Sequence, residues 1–526
     1  MVCFPSVRNQ CIVYLLRSTG KMQIFKPWPL YVRASFITSF IAMLFGLDTG
    51  TIGSVTTMPA FEVTMGPISS TIRGVIVSSI LLPGALAALV AGILADRHGR
   101  KRLVILGAVI YGVGAAIECG SVALAMFIVG RLIKGVGQGL FLSTVYVQVS
   151  EISPARTRGT MTALPQFLIV CGLVTGFFMS YGTAGIKGSS ASWRLPLGVA
   201  SFLAFAFAAM NIFTPASPRW LLAKGRVEQA RTIIAALGLD EAEQDQLLAM
   251  SSSALEHSPD ESFLESLVHT FKDFGEAFSA PVRARTAFGC FIMAFQQFSG
   301  IDGILYYAPI LFSQAGLSGE KANFLASGVS SLVILATTIP ASIWADRWGR
   351  RTSSIIGGAL ITVLMVLMGT MYAANLVHGS HGAGRWVVIV SIYLFAVVYN
   401  GTWAIGFRTF LVESLPRKTR SSASSLGQCS NWVANYIVAL TTPVMIDRSS
   451  FAAYYFFAGC TFICTVVCTL YMFETKGHTL EVIEQRYLDE KANSTGRRTF
   501  EGFKLKPVTR VSRCPSVSRP SSADVA

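Results

Sequence analysis

Two stretches of this 526-residue chain carry groups that do chemistry in surroundings that disfavour them. The first is Gln296 to Pro309, QQFSGIDGILYYAP. Gln296, Gln297, Asp302, Tyr306 and Tyr307 sit there inside an apolar run. Lipid offers no water to such groups, so in a membrane span they must face a protein-lined, partly wet cavity. Amides and phenol hydroxyls are the donors and acceptors that recognise a polyhydroxylated molecule, and aromatic faces cover its C–H faces. The competing reading is a polar packing seam between helices. The second stretch is FGLDTGTIG, which places Asp48 deep in the first apolar run. Burying a carboxylate there costs at least about 2.5–3.5 kcal/mol on insertion scales, so such residues tend to be functional. Arg131, in GRLIKGVGQG, is a candidate partner. A buried carboxylate is ionised while paired with an arginine and protonated when the pair opens, which is what proton coupling needs. The alternative is a static pair between helices.

The elements that must position these groups are membrane spans. The chain is 52% hydrophobic and only 13% charged, with mean hydropathy +0.54. That is too apolar for an ordinary soluble protein of this length. The net charge of +15 lies in short loops and tails, a pattern of loop-charge orientation and not of nucleic-acid binding. The cysteines show neither CxxC pairing nor zinc spacing and read as small buried hydrophobes, so no metal or cofactor is expected. No cleavable signal peptide is visible. Runs long enough to cross the hydrocarbon predict an all-α polytopic protein with twelve transmembrane helices. They fall at roughly 34–58, 75–95, 103–122, 124–148, 160–182 and 195–214, then 286–314, 323–345, 353–374, 385–412, 421–446 and 451–472. A basic segment, 1–33, precedes the first half, 34–214; a polar loop with short helices, 215–285, separates it from the second half, 286–472; a polar tail, 473–526, follows. With both termini cytoplasmic, inner loops hold twelve Lys and Arg against six in outer loops.

The halves repeat. ADRHGRKR at 95–102 returns as ADRWGRR at 345–351, and SEISPARTRG at 150–159 returns as VESLPRKTRS at 412–421. A duplicated six-span unit places a substrate site between the halves near mid-membrane. Acids recurring with arginines at matched loops suggest ionic latches that hold the halves together in one state. The candidates are Asp96, Arg97, Arg100, Glu151 and Arg158 in the first half and Asp346, Arg347, Arg350, Glu413 and Arg420 in the second. Basic residues acting only as topology signals would not explain the recurring aspartates.

Motif by motif, residues 35–480 resemble the sugar porter branch of the major facilitator superfamily, fungal-type members especially. The resemblance rests on the two D-R-x-G-R loops, GRLIKGVGQG, SEISPARTRG, PASPRW at 215–220, QQFSGIDGILYYAP, SNWVANY at 430–436 and ETKG at 474–477. It implies two pseudo-symmetric six-helix halves with sugar held between them, contacted by Gln166, Gln296, Gln297, Tyr306, Tyr307, Asn400, Asn431, Trp432 and Asn435. Asparagines in spans also bond helices together, and Trp432 either stacks on substrate or only packs. Proton-coupled members resemble this chain in pairing a first-span Asp with a fourth-span Arg, here Asp48 and Arg131. The chain departs from the family pattern where Asp302 replaces Asn, Arg408 replaces Trp, Ala404-Ile405 replaces Gly-Pro, and Ile334 replaces an Asn. Asp302 and Arg408 have opposite signs and are expected to face each other across the cavity.

These features imply uptake of a monosaccharide or related polyol by proton symport through alternating access, by a monomer in the plasma membrane. The partners expected are the sugar, the proton and the bilayer, with no nucleic acid. Alternatives are a sugar acid as substrate, or a sensor that binds sugar without moving it. An enzyme is not expected: no nucleophile–base pairing, metal spacing or phosphate-cradling loop stands out.

Overall fold

The computed structural model describes residues 28–154, 156–238, 243–245, 263–279, 282–317, 320–377, 382–416 and 419–476. The basic N-terminal segment before residue 28 and the tail beyond residue 476 lie outside the described residues. Twelve long helical segments follow one another: α1 (Leu30–Val55), α2 (Ser70–His98), α3 (Arg100–Gly120), α4 (Leu124–Ile152), α5 (Arg158–Thr183), α6 (Ala191–Asn211), α7 (Arg283–Tyr306), α8 (Glu320–Trp348), α9 (Arg350–Ala373), α10 (Gly384–Ser414), α11 (Arg420–Arg448) and α12 (Ala452–Tyr471). The polar connection after α6 forms short helices at Pro218–Ala223, Val227–Leu237 and Phe263–Ala277.

Eleven of these segments are both long and apolar enough to cross a membrane. The exception is α11. Its 29 residues span about 43 Å at the helical rise, ample for the hydrocarbon. Its first half, RSSASSLGQCSN, is polar because Ser421, Ser424, Ser425, Gln428 and Asn431 line an internal cavity instead of facing lipid.

The same helix pairings recur in both halves. In the first, α1 packs on α5, and α3 packs on α4 and α6; in the second, α7 packs on α11, and α9 packs on α10 and α12. The halves meet along α2–α11 and α5–α8. Glycine allows the closest crossings. The GVGQG segment of α4 sets Gly135 on the Ile80 carbonyl and Gly137 against Gly107 and Tyr111 of α3. Leu86, Phe202, Phe462 and Leu470 are exposed on the outside, the surface that lipid would cover.

The span that carries QQFSGIDGILYYAP is discontinuous. Its helix runs Arg283–Gln297, breaks at Phe298–Gly300, resumes at Ile301–Tyr306, and breaks again at Tyr307 before Ala308–Gln314. Gly300 has φ +87°, a conformation that side chains resist, and its face packs against the Phe457 ring. Unwinding turns the amides and the acid toward the interior, the kind of irregular backbone that membranes tolerate only beside a cavity.

Candidate functional site

A cavity of about 930 Å³ lies between the halves, toward the upper end of the roughly 300–1,000 Å³ typical of small-molecule sites. It runs from mid-span residues such as Thr49, Asp302 and Asn435 to Asp96, Arg100 and Ser421, so it opens toward the face bearing the D-R-x-G-R motifs. The other end is shut by an apolar cluster drawn from both halves, including Val55, Phe61 and Ile76 of the first and Tyr306, Tyr307 and Phe324 of the second. The closure is close-packed: a Cβ on Gly53 would lie 1.6 Å from the Tyr306 carbonyl oxygen, and one on Gly74 would lie 2.3 Å from that of Leu440.

Gln166, Gln296, Gln297, Asp302, Asn400, Arg408, Asn431, Trp432 and Asn435 all line the cavity. Tyr306 and Tyr307 do not. Tyr306 is packed in the closed seam, and the Tyr307 hydroxyl donates to the Ala439 carbonyl at 2.6 Å. The amides form a chain. Gln296 donates to the Trp403 carbonyl (2.9 Å), Asn431 donates to Gln296 Oε1 (3.1 Å) and to the Met293 carbonyl (2.9 Å), and Gln297 donates to Asn431 Oδ1 (3.2 Å). Asn400 is held by α8, donating to the Ile334 carbonyl, Thr337 and Thr338. Two buried amide oxygens on wall residues, Gln297 Oε1 and Asn435 Oδ1, have no hydrogen-bond partner among the described residues. Buried acceptors left in that condition are costly; neither oxygen has surface open to the cavity in this state, so a turn of the amide is needed to present it to a substrate hydroxyl. Trp432 closes one side, its ring edge against Gly84 of α2.

The expected pair between Asp302 and Arg408 is not made. Asp302 accepts from the Asn435 amide, and Arg408 donates to Gln166 Oε1 at 3.2 Å, an oxygen that Tyr146 also reaches at 3.3 Å. The reason is reach: α10 aims Arg408 toward α5 of the opposite half, while Asn435 one helix away offers Asp302 a nearer donor. Arg408 thus stands exposed within the cavity with no carboxylate in ion-pair range among the described residues.

Asp48 and Arg131 meet as expected, at 3.3 Å. They are half of a larger cluster. Lys134 Nζ lies 2.6 Å from Asp48 Oδ1 and 2.8 Å from Glu118 Oε2, and Arg131 Nη1 lies 3.9 Å from Glu118 Oε1. Arg131 also donates to the Val77 carbonyl (3.0 Å). All four charged groups are buried. Lys134 and Glu118 were missed in the sequence, although Glu118 is stranded in the third apolar run just as Asp48 is in the first. Lys134 lies one helical turn after Arg131, on the same face.

Among the described residues, the ion pairs of the D-R-x-G-R loops form within each half and not between halves. Arg100 pairs with Asp96 (2.7 Å) and Glu151 (3.2 Å); Arg350 pairs with Glu413 (3.1 Å). Arg158 donates to the Ser150 carbonyl in the last turn of α4, and Arg420 to the Leu415 carbonyl just after α10. Arg97 is exposed, and the side chains of Asp346 and Arg347 lie outside the described residues. The motif after each half's last helix docks on its loop. From PASPRW, the Ser217 hydroxyl donates to Glu151 and the Trp220 indole donates to the Asp96 carbonyl. From ETKG, Glu474 accepts the Arg350 and Arg351 amides that open α9, a capping arrangement.

Twelve helices in two repeated halves around a central cavity define a transporter of the major facilitator type. Residues 34–487 match the family model described as "Sugar (and other) transporter". The chain is 30% identical to a glucose transporter of Staphylococcus epidermidis over 87% of its length and 96% of that protein. It is 29% identical to a high-affinity glucose transporter of Kluyveromyces lactis, over 92% and 90% of the two chains. The inward-open structure of the xylose transporter XylE from E. coli superposes with TM-score 0.70 at 22% identity, covering 86% of this chain and 99% of that one. The chain belongs to the sugar (and other) transporter family.

Proposed function

We propose that this protein is a secondary transporter that carries a monosaccharide or related polyol across the membrane by proton symport. The observation that carries this reading is the mid-span cavity, whose wall holds the amide chain of Gln296, Gln297 and Asn431 beside Asp302 and Asn435. Gln166, Gln296, Gln297, Asp302, Asn435 and Trp432 contact substrate, while Asn431 and Asn400 hold the wall in shape. Tyr306 and Tyr307 act from the seam that seals the far side in this state, and meet the substrate path when the seam opens. Asp48, ionised against Arg131, takes up the proton. The inner-loop bonds rigidify each half so that the halves rock as bodies about the site. Both termini lie in the cytoplasm, and the monomer is the working unit in the plasma membrane. The names of the relatives, glucose transporters of a bacterium and a yeast, agree with this reading.

A second reading keeps the mechanism and changes the cargo to a sugar acid. It is favoured by Arg408, a planar fork of donors standing unpaired by any described carboxylate in the cavity. The experiment that tests both is uptake into cells lacking sugar transporters, with a panel of labelled neutral sugars, polyols and sugar acids at two external pH values. Accumulation of a neutral sugar that rises at acid pH supports the first reading. Accumulation only of acids supports the second. Binding without accumulation overturns transport and leaves a sensor.

A further inference from the structure

Beside the pair of Asp48 and Arg131 the fold has buried two further charges, Glu118 and Lys134. Isolated charges do not persist in such surroundings, so this cluster must balance itself. It does: two carboxylates face two cations. Asp48 is served twice, by Arg131 at 3.3 Å and Lys134 at 2.6 Å. Glu118 is hydrogen-bonded once, by Lys134 at 2.8 Å. Its second oxygen, Oε1, is buried, has no hydrogen-bond partner among the described residues, and lies 3.9 Å from Arg131 Nη1.

One further cation stands near the cluster: Arg194 of α6 donates to the Cys119 carbonyl, next to Glu118, at 2.8 Å. From α3, the Tyr111 ring lies 5.1 Å from Lys134 Nζ, and its hydroxyl is occupied by the Leu44 carbonyl. From α7, the buried Tyr306 is a neighbour that brings no charge to the cluster. From α2 comes the Val77 carbonyl on Arg131. The helix packed on α1, α5, has no charged residue between Gly159 and Thr183.

We propose that Glu118 is the spare counterion of the proton step at Asp48, and that Lys134 holds it in register. The inference rests on the reading of Asp48 as the proton carrier. A proton from water binds one Asp48 carboxylate oxygen; no other bond is made or broken, and the cluster passes from neutral to a single positive charge. Arg131, losing its partner, turns the short distance to Glu118 Oε1, while Lys134 stays on Oε2. Without Glu118 the cluster would begin with one excess positive charge and reach two, which a buried site opposes. The proton later leaves Asp48 to water on the opposite side, and Arg131 returns. Both residues are positioning residues; neither lines the cavity.

The test follows Asp48 itself and needs no substrate. The full chain is reconstituted in liposomes, and its infrared spectrum is titrated with pH. The difference between the parent and Asp48→Asn isolates the Asp48 carboxyl band. Glu118→Gln leaves Lys134 wholly to Asp48, so the titration midpoint moves toward acid by about one pH unit or more. Lys134→Gln moves it toward alkali, and the double variant returns near the parent. A merely structural role would lower stability without moving the midpoint. An unmoved midpoint in a folded Glu118→Gln protein, checked by thermal melting, overturns the proposal. If that variant does not fold, Glu118→Asp keeps the charge and withdraws the oxygens; a smaller acid shift is expected, and none overturns the proposal. A parent in which Asp48 never titrates overturns both this inference and the coupling reading. Midpoints that move as expected, with uptake indifferent to a pH gradient, uphold the counterion assignment and remove only the coupling.

Discussion

The two halves share helix pairings and loop motifs but fill their interiors differently. The first half buries a four-charge cluster between α1, α3 and α4, beside the cavity and off its wall. The second half buries a neutral amide chain from α7 and α11, on the wall, along a broken helix. Charges need fixed, close partners and exclusion of water to hold their balance, and continuous helices supply that. Hydroxyl recognition needs orientable donors and acceptors next to an open space, and an unwound segment supplies that. On the proposed reading, the duplicated scaffold divides most of the work, with ion handling in the first half and most cargo contacts in the second, Gln166 of α5 being a first-half contact on the wall. The two are joined where Tyr306 of the second half packs into the closed seam of the first.

The largest break in this division is expected from Asp48→Asn. Accumulation against a gradient should be lost, with exchange of substrate across the membrane partly kept, because the cargo wall is untouched. A mutant that still concentrates sugar in response to an imposed pH gradient would move coupling elsewhere. Next in size is Gly53→Leu, at the joint between the halves. A side chain there meets the Tyr306 backbone, which cannot yield cheaply, so the seam should fail to close. Transport should fall by roughly tenfold or more, about 1.4 kcal/mol or more at the closing step, at normal surface level. Labelling of Cys429 on the cavity wall by a thiol reagent from the inner face should slow in parallel. Unchanged labelling would show that the seam tolerates the insertion.

The cargo wall itself should respond more gently. Asp302→Asn and Arg408→Trp should each reduce transport of a neutral sugar, and their effects should add within about 0.5 kcal/mol, because the two groups do not touch here. Recovery in the double mutant would instead reveal an ion pair formed in another state of the cycle. The smallest effect is expected from Gln297→Ala. Losing one hydrogen bond to a neutral hydroxyl is worth on the order of 0.5–1.5 kcal/mol, a few-fold to tenfold rise in KM. An unchanged KM would move Gln297 to the packing of the wall.

Much of the molecule was legible in the residues alone. Eleven of the twelve spans, the repeat and the Asp48–Arg131 pair follow from apolar length, loop motifs and the cost of burying a carboxylate. Polar residues inside apolar runs marked several of the wall's polar side chains, Gln296, Gln297 and Asp302 among them, for the same reason. What tertiary structure decided was partnership. Whether Arg408 meets Asp302 or Gln166 depends on which helix faces α10 across the cavity, and no spacing along the chain encodes that. Tyr306 and Tyr307 share a motif with Gln297, yet two backbone breaks turn them into the seam and leave Gln297 on the wall. Glu118 could have been suspected as a stranded acid; that it shares Lys134 with Asp48 required α1, α3 and α4 to be brought together. A sequence determines which groups lipid will not tolerate, because that cost is local; only the packed helices determine which groups relieve one another, because that relief acts over a few ångströms between residues far apart in the chain.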